Sequence, residues 1–176
     1  SLGIAALVAL LAVPIAQQRA HVVPVTVTVV VTETLVGAGL GVLFAREYYD
    51  RDEPREKQIR ELADALYKRV DWTWLQQRPP LISMGWFPES GFITHDWMGY
   101  NEAMMLYVLA LGSPTHAVSP DAWTVWTRTY DNDWGVYQGQ EYLAFGPLFG
   151  HQYSHVWIDF RDLQDAYMRE RGIDYF

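Results

Sequence analysis

The chain contains no cysteine, which excludes disulfides, thiolate zinc sites and a cysteine nucleophile. Positive charge is also scarce. Thirteen Lys and Arg stand against 21 Asp and Glu, a formal net charge of −8. Nucleic-acid binding needs clustered Lys and Arg to displace counterions, so this balance argues against it and suits a neutral, polyhydroxylated ligand. No glycine-rich phosphate loop or dinucleotide fingerprint occurs, and no repeat of solenoid length. Ser83, Ser113 and Ser154 stand near no nucleophile elbow, which argues against a serine hydrolase. The first apolar run, Leu2 to Ala16, is too short for a comfortable membrane span and lacks the basic start of a signal peptide. Its length suits the apolar part of a secretory signal, so signal peptide and buried helix both stay open; buried helix is the favoured reading, with no stable membrane insertion expected.

What the chain has in excess is aromatic surface. Eight Trp and eleven Tyr occur among 176 residues, more than one core of this size needs. Rings that line clefts are a common way to hold sugars, because the apolar faces of pyranoses stack on them while hydroxyls find polar neighbours. An aromatic-rich core is the plainer explanation. With half its residues hydrophobic, the chain is long enough for one domain with a real core.

Local patterns place most of the elements. Val22 to Val31 reads VVPVTVTVVV, a strand by propensity. Glu33 to Ala45 holds three glycines among apolar residues, which allow close helix packing. An amphipathic helix begins with Asp52 or Glu53 as its cap and Pro54 in its first turn. Its apolar stripe is Ile59, Leu62, Ala63, Leu66, Tyr67 and Val70, with Arg55, Lys57, Arg60, Asp64 and Lys68 toward water. Trp72 to Phe92 reads as an aromatic-bearing loop region broken by proline and glycine. Pro120 and Asp121 open a short helix, Asp131 to Gly150 reads as irregular, and a helix from about Arg161 to Arg171 should end at Gly172.

One stretch organises the rest. From Ala103 to Leu111 every residue is apolar or Tyr, so the helix should be buried on all sides. Glu102 precedes it, where polar meets dry. A carboxylate there is paired, neutralised, or at the floor of a cleft, and the last two suit general acid chemistry. A structural Glu stabilised by the helix dipole is the equal alternative. Other carboxylates available for acid and base work are Asp96, Asp133, Glu141, Asp159 and Asp162. Glycoside hydrolysis needs two of them in one cleft.

His151, His155 and Asp159 recur at steps of four and would share a helix face, a spacing that metals use. Gln152 stands where a zincin carries its glutamate, so neither metal nor cofactor is expected. The His, Gln152, Tyr153 and Asp159 side chains instead offer a hydrogen-bonding wall for hydroxyl-rich ligands.

The segments RVDWTW, MGWFPESGF, GYNEAMMLYVLALGSPTH and GPLFGHQYSHVWIDFRDLQDAYMRERGIDYF together resemble the bacterial glycoamylase-like domain family, which includes the endo-β-1,2-glucanases. The resemblance covers most of residues 48–176. It implies an all-α (α/α)6 toroid, twelve helices in two rings with a sugar cleft at one end. Twelve helices need about twice this length, so residues 1–176 would form one catalytic domain, its N-terminal half, incomplete at the C-terminal side. A Val-rich run also replaces a longer family segment before Glu33. By the same resemblance Glu102 is the candidate general acid and Asp159, or a carboxylate outside this chain, the second group. Trp86, Trp97, Tyr100, His151, Gln152, Tyr153, His155 and Trp157 would bind substrate. The implied activity is inverting hydrolysis of an oligo- or polysaccharide, β-1,2-glucan by preference, in the periplasm or outside the cell. The alternatives are a non-catalytic glycan-binding or scaffold module, and a transglycosylase or phosphorolytic partner domain of cyclic glucan metabolism.

Overall fold

A computed structural model describes residues 31–176, the side chains of 31–36 excepted. The expectations for the first apolar run and for nearly all of the Val-rich strand fall outside the described residues.

Helix α1 (Val31–Tyr48) packs against α2 (Pro54–Lys68) and reaches α3 (Met104–Leu111). Gly39 is buried, and a Cβ there would lie 3.5 Å from Leu109 Cδ1, so the small residue brings α1 close to α3. In α2 the apolar stripe faces inward at Ala63 and Tyr67, with Ile59, Leu66 and Val70 half-buried and Leu62 exposed. The Tyr67 hydroxyl donates to the Leu109 carbonyl at 2.7 Å and pins α2 to α3. Pro54 opens α2, but neither acidic residue before it caps the helix: the Glu53 side chain makes no cap bond, and Glu56 instead accepts from the Arg51 amide at 2.8 Å. Arg60 turns back to the Tyr49 and Arg51 carbonyls rather than into solvent.

Helix α3 is the centre of the core. Six of its eight residues are buried, including Met105, Tyr107 and Ala110 with no exposed surface. The expectation of burial on every side fails at Val108, which is 37% exposed. Ahead of α3, residues 71–99 fold as turns around the short hairpin β1 (Trp86–Phe87) and β2 (Gly91–Phe92). Trp72, Leu75 and Ile82 drop from these turns into the core. Arg78 donates to both oxygens of Asp96, each at 2.7 Å, and fastens the outer edge.

Pro120 precedes α4 (Asp121–Trp126), which tightens into a 3-10 turn, Thr127–Asn132. The chain before α3 is held to this corner by Gly99, whose amide donates to the Trp126 carbonyl at 2.8 Å. Gly99 has φ +78, and a Cβ there would lie 2.6 Å from Thr129 Oγ1. Only glycine fits such a site.

The region expected to be irregular is ordered. Strands β3 (Trp134–Tyr137) and β4 (Gln140–Leu143) pair antiparallel across Gln138 and Gly139, both at positive φ, the pattern of a tight two-residue hairpin. Helix α5 (Leu148–His155) follows. The last helix, α6 (Ala166–Arg171), starts five residues later than the sequence suggests, because the Asp165 side chain caps it by accepting from the Met168 amide at 2.8 Å. It ends at Gly172 in the left-handed conformation, as expected. The described chain is thus helix-rich rather than purely α-helical, with two small hairpins carried on its loops.

Candidate active site

Asn101 decides what Glu102 is free to do. Its side-chain oxygen accepts from the Ala103 amide at 2.9 Å, and its side-chain nitrogen donates to the Met98 carbonyl at 3.2 Å. The turn that leads into α3 is therefore fastened by Asn101, while Ala103, the N-cap residue of α3, has no side-chain cap bond. Glu102 stays half-buried, and its Oε2 is shielded from solvent with no hydrogen-bond partner among the described residues. A buried carboxylate oxygen without a partner is costly unless a ligand or a proton satisfies it.

Next to it in sequence, Tyr100 lines a cavity of about 320 Å3. One wall is the β3–β4 hairpin, through Trp134, Glu141 and Tyr142. The facing wall is α5, through His151, Gln152 and His155, and residues 173–176 close the end. Burial pushes the Tyr100 phenol up to about 12, so it is a neutral hydroxyl at physiological pH. Its ring centroid lies 5.3 Å from the His151 imidazole, whose Nε2 is 3.1 Å from the Phe145 carbonyl. His155 and Phe176 also line a second cavity of about 400 Å3, together with Trp157, Asp159 and Arg161.

The structure brings Tyr100, His151, Gln152, His155, Trp157 and Asp159 onto these two adjoining cavities and separates the others from them. Tyr153 projects from α5 toward solvent. Trp86 is half-buried against Trp74 in the first hairpin, ring centroids 5.8 Å apart. Trp97 is 8% exposed and sits in the core, where its carbonyl accepts from the Tyr107 hydroxyl at 2.7 Å. Glu102 lines neither of these two cavities. The His151, His155, Asp159 face does not form, since α5 ends at His155. Among the described residues there is no cluster of three metal-binding side chains, and no helix is long and apolar enough to cross a membrane.

Asp159 is gripped by Arg161, which donates to its two oxygens at 2.8 and 2.5 Å. That guanidinium pulls the Asp159 carboxyl down to about 2. Its folded value is depressed, so the pair's contribution to stability is present above the ordinary carboxylate range and lost as pH falls through about 2. The pair is exposed and screened by salt. Replacing Arg161 with Met is expected to return Asp159 to the ordinary carboxylate range, read from the side-chain carboxyl carbon in an NMR pH titration.

Glu141, one of the carboxylates available for acid and base work, lines the first cavity, and so do Trp134, Tyr142, Asp174 and Phe176, which were not expected there. Trp134, Glu141 and Tyr142 ride on the unanticipated hairpin. It is held in place from α6: Arg171 lies 3.8 Å over the Trp134 ring and 3.5 Å from Glu141, and the Trp134 indole donates to the Tyr167 hydroxyl at 2.7 Å. The available signal was Gln138-Gly139 between two aromatic tetrads.

Residues 94–176 match a family model described as "Glycoamylase: Putative glucoamylase". The exo β-1,2-glucooligosaccharide sophorohydrolase (non-reducing end) of Parabacteroides distasonis is 31% identical over 153 residues, covering 72% of this chain and 21% of that protein. A β-1,2-glucanase structure from Parabacteroides distasonis superposes with TM-score 0.65 at 27% identity, covering 73% of this chain and 22% of that one. The endo-β-1,2-glucanase of Chitinophaga pinensis, in complex with sophorotriose and glucose, gives TM-score 0.66 at 26% identity, covering 73% and 34%. The chain thus spans between about a fifth and a third of these relatives, sharing the fold of the matched part.

Proposed function

We propose, from the match of residues 94–176 to the glycoamylase-like family and the likeness to its β-1,2-glucan-acting relatives, that this chain is a glycoside hydrolase of that family acting on a β-1,2-linked glucan by inverting acid/base hydrolysis. The observation that supports the reading is the half-buried Glu102 beside the Asn101 turn, with a solvent-shielded oxygen that has no hydrogen-bond partner among the described residues. Glu102, which lines neither cavity but stands two residues after the cavity-lining Tyr100, is the general acid of this reading. Asp159, ionised above about pH 2, is the group that activates water once Arg161 gives up one of its oxygens. In an inverting enzyme the two carboxyls must leave room for that water. Tyr100, His151, Gln152, His155 and Trp157 hold the glucose units by ring stacking and by hydrogen bonds to hydroxyls. The described helices then form part of one side of a two-ring toroid, and the protein works in the periplasm or outside the cell, where a polysaccharide is met.

A second reading is favoured by one observation: Arg161 occupies both oxygens of Asp159, as suits a glycan-binding module without half of the acid/base pair. The deciding experiment incubates the full chain with linear β-1,2-, β-1,3-, β-1,4- and α-1,4-glucans and analyses the products. New reducing ends from β-1,2-glucan alone support the hydrolase. Cleavage of α-1,4-glucan would move the specificity to starch-type substrates. Binding without cleavage would leave the module.

A further inference from the structure

Asp165 lines neither cavity, yet three bonds converge on it. Its Oδ2 accepts from the Trp123 indole and from the Tyr175 hydroxyl, each at 2.6 Å, while its Oδ1 caps α6. Carboxylate oxygens only accept, so the Tyr175 phenol must be the donor, and burial together with the Asp165 charge holds that phenol protonated. Tyr175 belongs to residues 173–176, which form no helix or strand and which close the first cavity. Tyr175 is also held by its amide, which donates to the Leu163 carbonyl at 3.2 Å, and by its buried ring, which meets Trp123, Tyr130 and Phe160 at centroid distances of 5.8, 6.5 and 6.2 Å. The phenol bond to Asp165 is the polar contact of the side chain that sets its final orientation.

What Tyr175 delivers to the cavity is a backbone carbonyl, 3.1 Å from His155 Nε2. A carbonyl only accepts, so Nε2 carries the proton. His155 Nδ1 is buried and has no partner among the described residues, so nothing else selects the tautomer.

We propose that Asp165 is a positioning residue of the saccharide site: by holding the Tyr175 phenol it aims the Tyr175 carbonyl at His155, and so fixes the tautomer and orientation of the imidazole that both cavities share. The proposal rests on reading these cavities as the saccharide site, but its first readout does not. In long-range proton–nitrogen NMR spectra of the full chain at neutral pH, His155 is expected as a single Nε2–H tautomer. Tyr175→Phe removes the phenol link and leaves the α6 cap and the Trp123 bond in place, so its His155 signals should shift to a mixture of tautomers. Asp165→Asn should do the same. In Tyr175→Phe the affinity for a β-1,2-linked glucooligosaccharide should fall about tenfold, the scale of one lost hydrogen bond to a charged group.

A His155 spectrum unchanged in both variants would overturn the proposal. Should Asp165→Asn fail to fold through loss of its cap, Tyr175→Phe alone decides the matter. If His155 shifts while the unmodified chain binds no oligosaccharide, the positioning role stands and the saccharide reading of the cavities falls.

Discussion

Glu102→Gln is expected to reduce product formation from β-1,2-glucan by ~10²–10⁴-fold, the range that a positioned general acid contributes. Gln keeps the volume and polarity of the side chain, so the turn set by Asn101 and the packing of α3 should survive. What disappears is the transferable proton. The leaving sugar oxygen must then depart unprotonated, and the loss should fall on kcat with KM little changed, since the interaction matters in the transition state and not in the bound ground state. Initial rates over a range of glucan concentrations check this, with oligosaccharide binding to the variant as control. Equal rates for the variant and the original chain would remove Glu102 from the chemistry. A parallel rise in KM with unchanged kcat would make it a binding group instead.

The setting of Glu102 was half legible in the sequence, and the reason is specific. The order Tyr-Asn-Glu-Ala before an apolar run marks a helix entrance, but either Asn101 or Glu102 could have satisfied it. Only the fold shows the Asn101 oxygen on the Ala103 amide. Helices α2 and α3 were legible because their patterns are strong: one face of α2 repeats at helical spacing, and α3 is apolar throughout. The Asp159–Arg161 pair was not. Residues two apart on a helix do not face each other, so the pairing became available only because α5 stops at His155. Trp97 and Trp157 show the same limit from another side. Both are tryptophans in aromatic-rich motifs, yet one is 8% and the other 40% exposed, a difference set by long-range packing. The β3–β4 hairpin escaped for a simpler reason, since its turn at Gln138-Gly139 lacks the usual Asn or Asp before glycine.

The second large effect is expected in stability, at Trp126. Its ring has no exposed surface and meets three others, with centroids 4.8 Å from Trp123, 5.4 Å from Tyr107 and 5.6 Å from Tyr130. Trp126→Ala should cost ~3–5 kcal/mol, as removal of a large buried ring does when its neighbours cannot collapse into the space. Domains of this kind are stable by only ~5–15 kcal/mol in all. The urea midpoint should therefore fall steeply while the slope of the transition stays constant. Trp126→Phe separates two contributions. The Trp126 indole N–H is buried with no partner among the described residues, so phenylalanine forfeits part of the packing but also relieves an unsatisfied donor, itself worth ~1–3 kcal/mol. A loss below ~2 kcal/mol is expected for that variant, by the same offset. The consequence also reaches the cavity, because the Trp126 carbonyl holds Gly99 and Gly99 precedes Tyr100. Trp126→Ala should thus weaken saccharide binding even at temperatures where the chain remains folded, whereas Trp126→Phe should leave it intact. Equal destabilisation by the two variants would mean that the shape of the indole, rather than its buried area, sets the position of this corner.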